Sequence, residues 1–238
     1  FLRRRTTRLK PELHALQPST LNLYPLLFAA GLLYSTLNEF KSGFEEPRMS
    51  ATERASFMND PNLKVLIDIA PLQARVREMG QQITRDYAGK NLHLVGVLKG
   101  ACVFLSDLMR SIDLPLSVDF IGISSYGAST KSSGEVRITK DLDVSLLGKD
   151  VLVVEDIIDT GLTLNYMANI FRSREVSSLA IAALLDKPDR HEIAIDAKYI
   201  GFTIPNHFVV GYGLDVGELY RNLPFIAVPE VPAALLKH

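Results

Sequence analysis

Little in this sequence of 238 residues points to a disulfide-stabilised fold, a nucleic-acid partner or a repeat protein. Its one cysteine, Cys102, cannot form an internal disulfide and lies in an apolar stretch, where we expect buried packing. This fits a reducing, cytoplasmic compartment. The formal net charge is −1, so the electrostatic surface of a nucleic-acid-binding protein is not expected. Neither internal repeats nor low-complexity tracts occur. The length fits one α/β domain of about 190 residues plus an extension.

The amino-terminal 48 residues differ in charge from the rest of the chain. They contain seven Lys or Arg and four Glu, a net of +3, which leaves −4 for the other residues. A mostly apolar run at 21–37, with Asn22 and Pro25 inside it, follows the basic cluster. Three interpretations stay open: a translated upstream region before a natural start at Met49, a targeting segment, or a membrane anchor. We expect residues 1–48 to be poorly structured and residues 49–238 to form the main domain.

From Pro61 onward, strand patterns alternate with helix patterns, which predicts an α/β fold with a mostly parallel sheet. The strands are expected at 63–69, 92–98, 118–125, 151–154, 179–185, 199–202 and 208–212. Helices are expected from Pro71, over 101–112 and up to about Arg172. The segment 126–134 is rich in Gly, Ser and Thr and predicts a mobile loop.

The stretch Val151–Leu164 is the most informative part of the chain. Four aliphatic residues predict a buried strand, two acids follow, and Asp159–Thr163 forms a Gly/Thr turn before a helical pattern. A helix N-terminus with backbone N–H groups suits a phosphate, and carboxylates suit sugar hydroxyls and a divalent ion. A response-regulator receiver domain also has acids after a strand. It needs about 110 further residues, whereas 88 follow Asp150.

Other polar residues follow predicted strands in the same way. Lys99, Ser125-Tyr126 and Asp186-Lys187 each stand where a strand ends. Open parallel sheets bind ligands beyond the carboxyl ends of their strands. We therefore expect these residues to meet around one crevice.

These motifs resemble the type I phosphoribosyltransferases, and residues 61–228 resemble their hypoxanthine-guanine branch. The resemblance is carried by Leu98-Lys99-Gly100, Ser125-Tyr126-Gly127, Glu155–Thr163, Asp186-Lys187-Pro188, Phe208–Asp215 and Leu219–Leu223, in that order. It implies a mostly parallel twisted sheet flanked by helices, with a small hood subdomain. It also implies a non-proline cis peptide bond before Lys99.

The resemblance implies a role for each site residue. Asp159 would be the general base, and the ribose phosphate would be bound by Glu155, Asp156, Asp159, Thr160, Gly161, Leu162 and Thr163. Pyrophosphate would be bound by Lys99, Gly100 and Arg221, and the lid would begin at Ser125 and Tyr126. The purine would be bound by Lys187, Phe208, Val209 and Asp215, and Mg²⁺ by Glu155, Asp156 and Asp215.

The implied activity is purine salvage, in which phosphoribosyl pyrophosphate (PRPP) and hypoxanthine or guanine give the nucleoside monophosphate and pyrophosphate. A regulator that binds PRPP with little turnover is the alternative. Transfer to adenine or a pyrimidine is a further one, and Lys187 argues against adenine. A homodimer or homotetramer is expected from the resemblance, and membrane contact only through residues 21–37.

Overall fold

The computed structural model describes residues 60–125 and 136–230. The extension 1–48 with its apolar run, Met49 and the loop from Tyr126 to Gly134 lie outside these ranges, so the interpretations of them stay predictions. Within the described ranges, no helix is both long enough and apolar enough to cross a membrane.

Strands and helices alternate along the described part of the chain, as the sequence pattern predicts. The strands are β1 Leu63–Ile67, β2 Leu92–Leu98, β3 Ser117–Ser125, β4 Val136–Lys140, β5 Asp150–Ile158, β6 Ser178–Asp186, β7 Tyr199–Thr203 and β8 Ile226–Pro229. The helices are α1 Ile69–Asp86, α2 Ala101–Arg110 and α3 Leu162–Arg172, with a 3₁₀ turn at Pro188–Arg190.

A six-stranded sheet in the order β4-β3-β2-β5-β6-β7 forms the centre of the fold. All neighbours are parallel except β3 and β4, which are antiparallel. A second sheet pairs β1 with β8 antiparallel and adds the smaller hood. The predicted fold class, a mostly parallel sheet flanked by helices, is therefore confirmed.

The two central strands are buried on both faces because alternate side chains point to opposite sides of a strand. Leu152 of β5 belongs to a core cluster that includes Leu72 of α1 and Phe104 of α2. The next residue, Val153, belongs to a second cluster with Phe171 of α3. The sheet is thus covered by helices on both sides, which leaves the strand ends as the place for a site.

The start of α1 differs from the prediction. Pro71 was expected at the first helical position, but β1 ends at Ile67 and α1 begins at Ile69. Asp68 caps the helix, since its side chain accepts a hydrogen bond of 2.7 Å from the Ile69 N–H. Pro71 fits within the first turn because N–H groups there have no intrahelical partner.

Two further expectations were wrong. Cys102 is exposed, because the buried side of α2 is formed by Ala101, Phe104, Leu105 and Leu108. The strand predicted at 208–212 does not form. Gly211, Tyr212 and Gly213 have φ angles of 97°, 52° and 105°, which an extended strand cannot contain. Isolated bridges, such as that from Val210 to Ala227, replace it.

Candidate functional site

Three adjacent parallel strands bring predicted site residues to one edge of the sheet. Lys99 follows β2, Asp159 follows β5 and Lys187 follows β6, and the strands lie in the order β2-β5-β6. The backbone N–H of Lys187 donates to the Ile158 carbonyl at 3.0 Å, which joins two of these strand ends directly. Residues far apart in sequence therefore share the edge where open parallel sheets bind ligands.

Glu155 and Asp156 lie inside the last part of β5, which continues to Ile158. The Oε2 atom of Glu155 is closed off from solvent and has no hydrogen-bond partner among the described residues. Burial raises the pKa of Glu155, and the neighbouring charge of Asp156 raises it further. Burial also raises the pKa of Asp156, against smaller opposing effects of hydrogen bonds from the Ile157 N–H and from Glu155 and of the Arg221 charge. Two buried neighbouring carboxylates repel each other when both are charged, so this pair is stable only with a bound proton or a nearby cation.

Two glycines connect this acidic pair to the hood. A Cβ at Gly100 would overlap Oδ2 of Asp156, and a Cβ at Gly213 would overlap the carbonyl oxygen of Gly100. Gly213 also has a φ of 105°, in the region that favours glycine. The peptide bond between Leu98 and Lys99 is cis, as the resemblance predicts. Gly100 therefore lies between Asp156 and Gly213, and neither glycine has room for a side chain.

The turn between β5 and α3 depends on Gly161. This residue has a φ of 84°, and a Cβ there would lie 2.8 Å from Cγ1 of Ile195 and 2.9 Å from the carbonyl oxygen of Ile193. The carbonyl of Thr160 accepts hydrogen bonds from the N–H groups of Glu192 and Ile193, at 3.0 and 3.3 Å. The turn is thus fixed from outside, and the N-terminus of α3 follows it directly. The first N–H groups of a helix have no intrahelical partner and suit an anion.

Lys187 and Asp159 lie close to Arg190. The Nε atom of Arg190 donates to Oδ1 of Asp159 at 2.9 Å. Lys187 is buried, and this burial lowers the pKa of its amine, while the charge of Asp159 raises it. Nearby, Nε2 of His191 lies 2.8 Å from Oδ1 of Asp186, which ties the loop back to the end of β6. The site therefore holds one carboxylate beside two cations.

In the segment after β7, neighbouring residues differ in how far their side chains are exposed to solvent. Phe208 is 43% exposed, although it is aromatic, whereas Val209 is buried. Asp215 follows, and its Oδ1 lies 2.8 Å from Nη2 of Arg221. Arg221 also donates from Nη1 to the carbonyl of Gly213 at 2.7 Å. The segment therefore presents the exposed ring of Phe208 and, further along the chain, the ion pair between Asp215 and Arg221.

The two predicted pyrophosphate cations meet at one carboxylate. Nζ of Lys99 lies 2.9 Å from Oε2 of Glu218, and Nη2 of Arg221 lies 3.4 Å from the same atom. The hydrogen bond from Lys99 is the main cause that lowers the pKa of Glu218. The structure thereby brings together two side chains that lie far apart in the sequence.

The predicted lid and the predicted metal ligands are not assembled in the described residues. Ser125 ends β3, but Tyr126 lies outside the described residues, so the lid stays a prediction. Within residues 60–125 and 136–230, no group of three or more His, Cys, Asp and Glu side chains is arranged to hold a metal. Asp215 forms an ion pair with Arg221. Glu155 and Asp156 are neighbours in β5, and Asp215 does not join them as a third metal ligand in the described structure.

Sequence reasoning missed three residues of this arrangement. Arg190 pairs with Asp159, Glu218 pairs with Lys99 and Arg221, and Gly213 packs on Gly100. Only Arg190 carried a signal, since it follows Lys187 by three residues in the same loop. The other two contacts depend on folding that the local sequence does not reveal.

Comparison with known proteins identifies the family. A family model described as a phosphoribosyl transferase domain matches residues 65–216. A hypoxanthine-guanine phosphoribosyltransferase of Staphylococcus aureus (strain Mu50) is 51% identical over 176 residues, which are 73% of this chain and 98% of that protein. The bifunctional protein TilS/HprT of Listeria innocua is also 51% identical, but this chain spans only 27% of its length.

Solved structures agree with this relationship. A hypoxanthine phosphoribosyltransferase from Staphylococcus aureus superposes with a TM-score of 0.69 at 50% identity, covering 72% of this chain and 94% of that one. A hypoxanthine-guanine phosphoribosyltransferase from Bacillus anthracis gives a TM-score of 0.67 at 47% identity, covering 69% and 97%. The chain belongs to the phosphoribosyltransferase family. The Staphylococcus aureus and Bacillus anthracis relatives bear the names of hypoxanthine or hypoxanthine-guanine phosphoribosyltransferases.

Proposed function

We propose that this protein transfers the 5-phosphoribosyl group of PRPP to N9 of hypoxanthine or guanine, giving IMP or GMP and pyrophosphate. The observation that carries the proposal is the meeting of Lys99, Asp159 and Lys187 at adjacent strand ends. The 51% identity to an enzyme of that name supports it. The process served is purine salvage.

The ribose 5′-phosphate would bind in the turn formed by residues 159–163. Its support is Gly161, whose positive φ lets the chain enter α3 in a tight turn. The N-terminus of α3 then offers backbone N–H groups and the positive end of the helix dipole. Thr160, Leu162 and Thr163 complete the turn, and Glu155 and Asp156 would accept hydrogen bonds from the ribose hydroxyls.

We assign Mg²⁺ to Glu155 and Asp156, with Asp215 at a second position. The chemistry of the pair fits a hard divalent cation: two adjacent carboxylates, one with a buried oxygen that has no hydrogen-bond partner among the described residues. Mg²⁺ keeps several waters and binds substrate phosphates rather than needing a full set of protein ligands. When bound, the ion would neutralise part of the pyrophosphate charge.

The purine would bind between the β6 loop and the segment after β7. Lys187 is buried beside Asp159 and would donate to the exocyclic O6 of a 6-oxopurine. Adenine presents an amino group there, so a donor would face a donor. Phe208 offers an uncovered ring for stacking. The Val209 backbone and Asp215 would contact the 2-position side of the ring.

Proton transfer and charge neutralisation complete the reaction. Asp159 would accept the proton from purine N7, and its negative charge would favour the developing positive charge of an oxocarbenium-like ribosyl centre. The transfer would invert the configuration at C1′. Lys99, Gly100 and Arg221 would bind the departing pyrophosphate, two of them as cations. Ser125 and Tyr126 would begin a lid that excludes water.

Several properties of the whole protein belong to the proposal as well. A homodimer or homotetramer and a cytoplasmic location are proposed, the latter from the single cysteine. The PRPP-binding regulator is not favoured, because a regulator needs the phosphate turn but not Lys187, Phe208, Asp215 and Arg221 together. Contact with a membrane would need residues 21–37.

A spectrophotometric assay of the full chain with PRPP and Mg²⁺ tests the proposal. Hypoxanthine, guanine, xanthine and adenine are compared as acceptors. We expect turnover of 6-oxopurines and none of adenine. Adenine turnover would contradict the role of Lys187, and PRPP binding without turnover of any base would favour the regulator.

A further inference from the structure

Glu218 bridges the two side chains assigned to pyrophosphate. Its Oε2 atom lies 2.9 Å from Nζ of Lys99 and 3.4 Å from Nη2 of Arg221. These cations come from opposite parts of the sequence, and the same carboxylate oxygen contacts both. A carboxylate oxygen between an ammonium and a guanidinium occupies the electrostatic position of a phosphate oxygen.

The backbone holds Glu218 in this place. Its φ is 67° and that of the preceding Gly217 is 58°, so the chain makes a tight turn there. The Glu218 N–H donates to Oδ2 of Asp215 at 2.8 Å. A non-glycine residue with positive φ is uncommon, and here the turn directs the chain so that the side chain reaches Lys99.

The contact is open to exchange with a ligand. The side chains of Lys99 and Glu218 are 64% and 63% exposed. Exposed ion pairs are weak because water and salt screen them. A pyrophosphate group carries more negative charge and more acceptor oxygens than one carboxylate, so it would displace Glu218 from both cations.

We propose that Glu218 is an internal counter-ion that occupies Lys99 and Arg221 in the unliganded protein and thereby sets the affinity for PRPP and pyrophosphate. The proposal rests on the proposed function. Glu218 competes with the pyrophosphate group of the substrate and with the pyrophosphate product. It weakens the binding of both and returns to the cations when the product leaves. The purine does not contact these cations, so its binding is independent of Glu218.

The test is Glu218→Gln in the full chain, which removes the charge and keeps the size of the side chain. We expect the KM for PRPP and the Kd for pyrophosphate, titrated calorimetrically with Mg²⁺ present, to fall by about two- to fivefold. The KM for hypoxanthine should not change. Glu78→Gln is the matched control, since Glu78 is also 63% exposed and pairs with Arg75 at 3.0 Å. It lies on α1 and should leave all three constants unchanged.

A double-mutant cycle with Lys99→Ala identifies the partner. If Glu218 acts through Lys99, the effect of Glu218→Gln should shrink in the Lys99→Ala background. An unchanged or raised Kd for pyrophosphate in Glu218→Gln would overturn the inference. The calorimetric titration does not need turnover. Inactivity of the unsubstituted chain would therefore contradict the proposed function, while this inference would still be tested.

Discussion

Arg190 donates from Nε to Oδ1 of Asp159 at 2.9 Å, and this ion pair joins the turn after β5 to the loop after β6. It fixes one oxygen of the proposed general base and leaves the other for a substrate. Lys187 precedes Arg190 by three residues, and the charge of Asp159 raises the pKa of its amine against the larger effect of burial. The orientation of the proposed base is thus set by a contact that the sequence pattern did not predict.

Replacing Asp159 by Asn should lower kcat by about 10²- to 10⁴-fold, because the amide cannot accept the purine proton. The amide oxygen can still accept from Arg190, so the loops should keep their arrangement and the KM for PRPP should change little. Steady-state kinetics measure both constants. Asp189→Asn, the same change at an exposed neighbour, is the control. Lost PRPP binding with intact chemistry would contradict the role of Asp159.

Replacing Lys187 by Ala should reduce the preference for hypoxanthine over adenine by about 10²-fold or more, because the buried donor to O6 is removed. The ratio of kcat/KM for the two bases measures this. Lys198→Ala is the control, since Lys198 precedes β7 at the opposite end of the sheet and pairs with Asp86 at 2.9 Å. An unchanged ratio would remove Lys187 from the purine pocket.

Replacing Gly100 by Ala should mainly lower activity, whereas replacing Gly213 by Ala should mainly lower stability. At Gly100 the new methyl group meets the side chain of Asp156, which can rotate away, so activity should fall more than stability. At Gly213 it meets a backbone oxygen at a positive φ. The free energy of unfolding should then fall by more than about 2 kcal/mol.

Urea denaturation and PRPP kinetics on both variants check this contrast. A Gly100→Ala variant that binds PRPP normally would show that Asp156 is not held against Gly100. A Gly213→Ala variant as stable as the unsubstituted protein would contradict the contact with the Gly100 carbonyl.

The hydroxyl of Tyr212 donates to Oδ2 of Asp107 at 2.6 Å and ties the hood segment to α2. Burial and the Asp107 carboxylate raise the pKa of Tyr212, so the hydroxyl keeps its proton over the physiological range. Tyr212→Phe should lower the free energy of unfolding by about 1–2 kcal/mol. Chemical denaturation measures it, with Tyr166→Phe on the exposed side of α3 as the control. Equal stability of the two variants would show that the hydrogen bond does not contribute.

The sequence predicted the parallel core because its signals are local. Strands such as β2 are mostly apolar runs, and the Gly/Thr turn before α3 is a contiguous motif. The edge strand β4 and the hood strand β8 were not predicted. Each is short. The strand β4 pairs with β3, which precedes it in the chain, whereas β8 pairs with β1 from the other end of the described residues.

The site residues also divide into those that local sequence signals predict and those that depend on distant contacts. Lys99, Asp159 and Lys187 could be placed together because parallel topology aligns strand ends. The ion pairs of Glu218 and Arg190 could not, since both depend on where a loop returns after many residues. The positive φ angles at Tyr212 and Gly213 were equally invisible in a stretch that is apolar enough to suggest a strand.

The contact chain from Gly213 through Gly100 to Asp156 limits how the protein can be redesigned. A designer who wants a different base can vary the side chains of Phe208 and Lys187, which we propose to contact the purine. Moving the backbone of the segment 208–215 is different, because Gly213 packs on the carbonyl of Gly100, and Gly100 packs on Asp156, which we propose to contact the ribose. New base specificity is therefore accessible through side chains, whereas a shift of the hood itself would disturb the binding of the sugar phosphate.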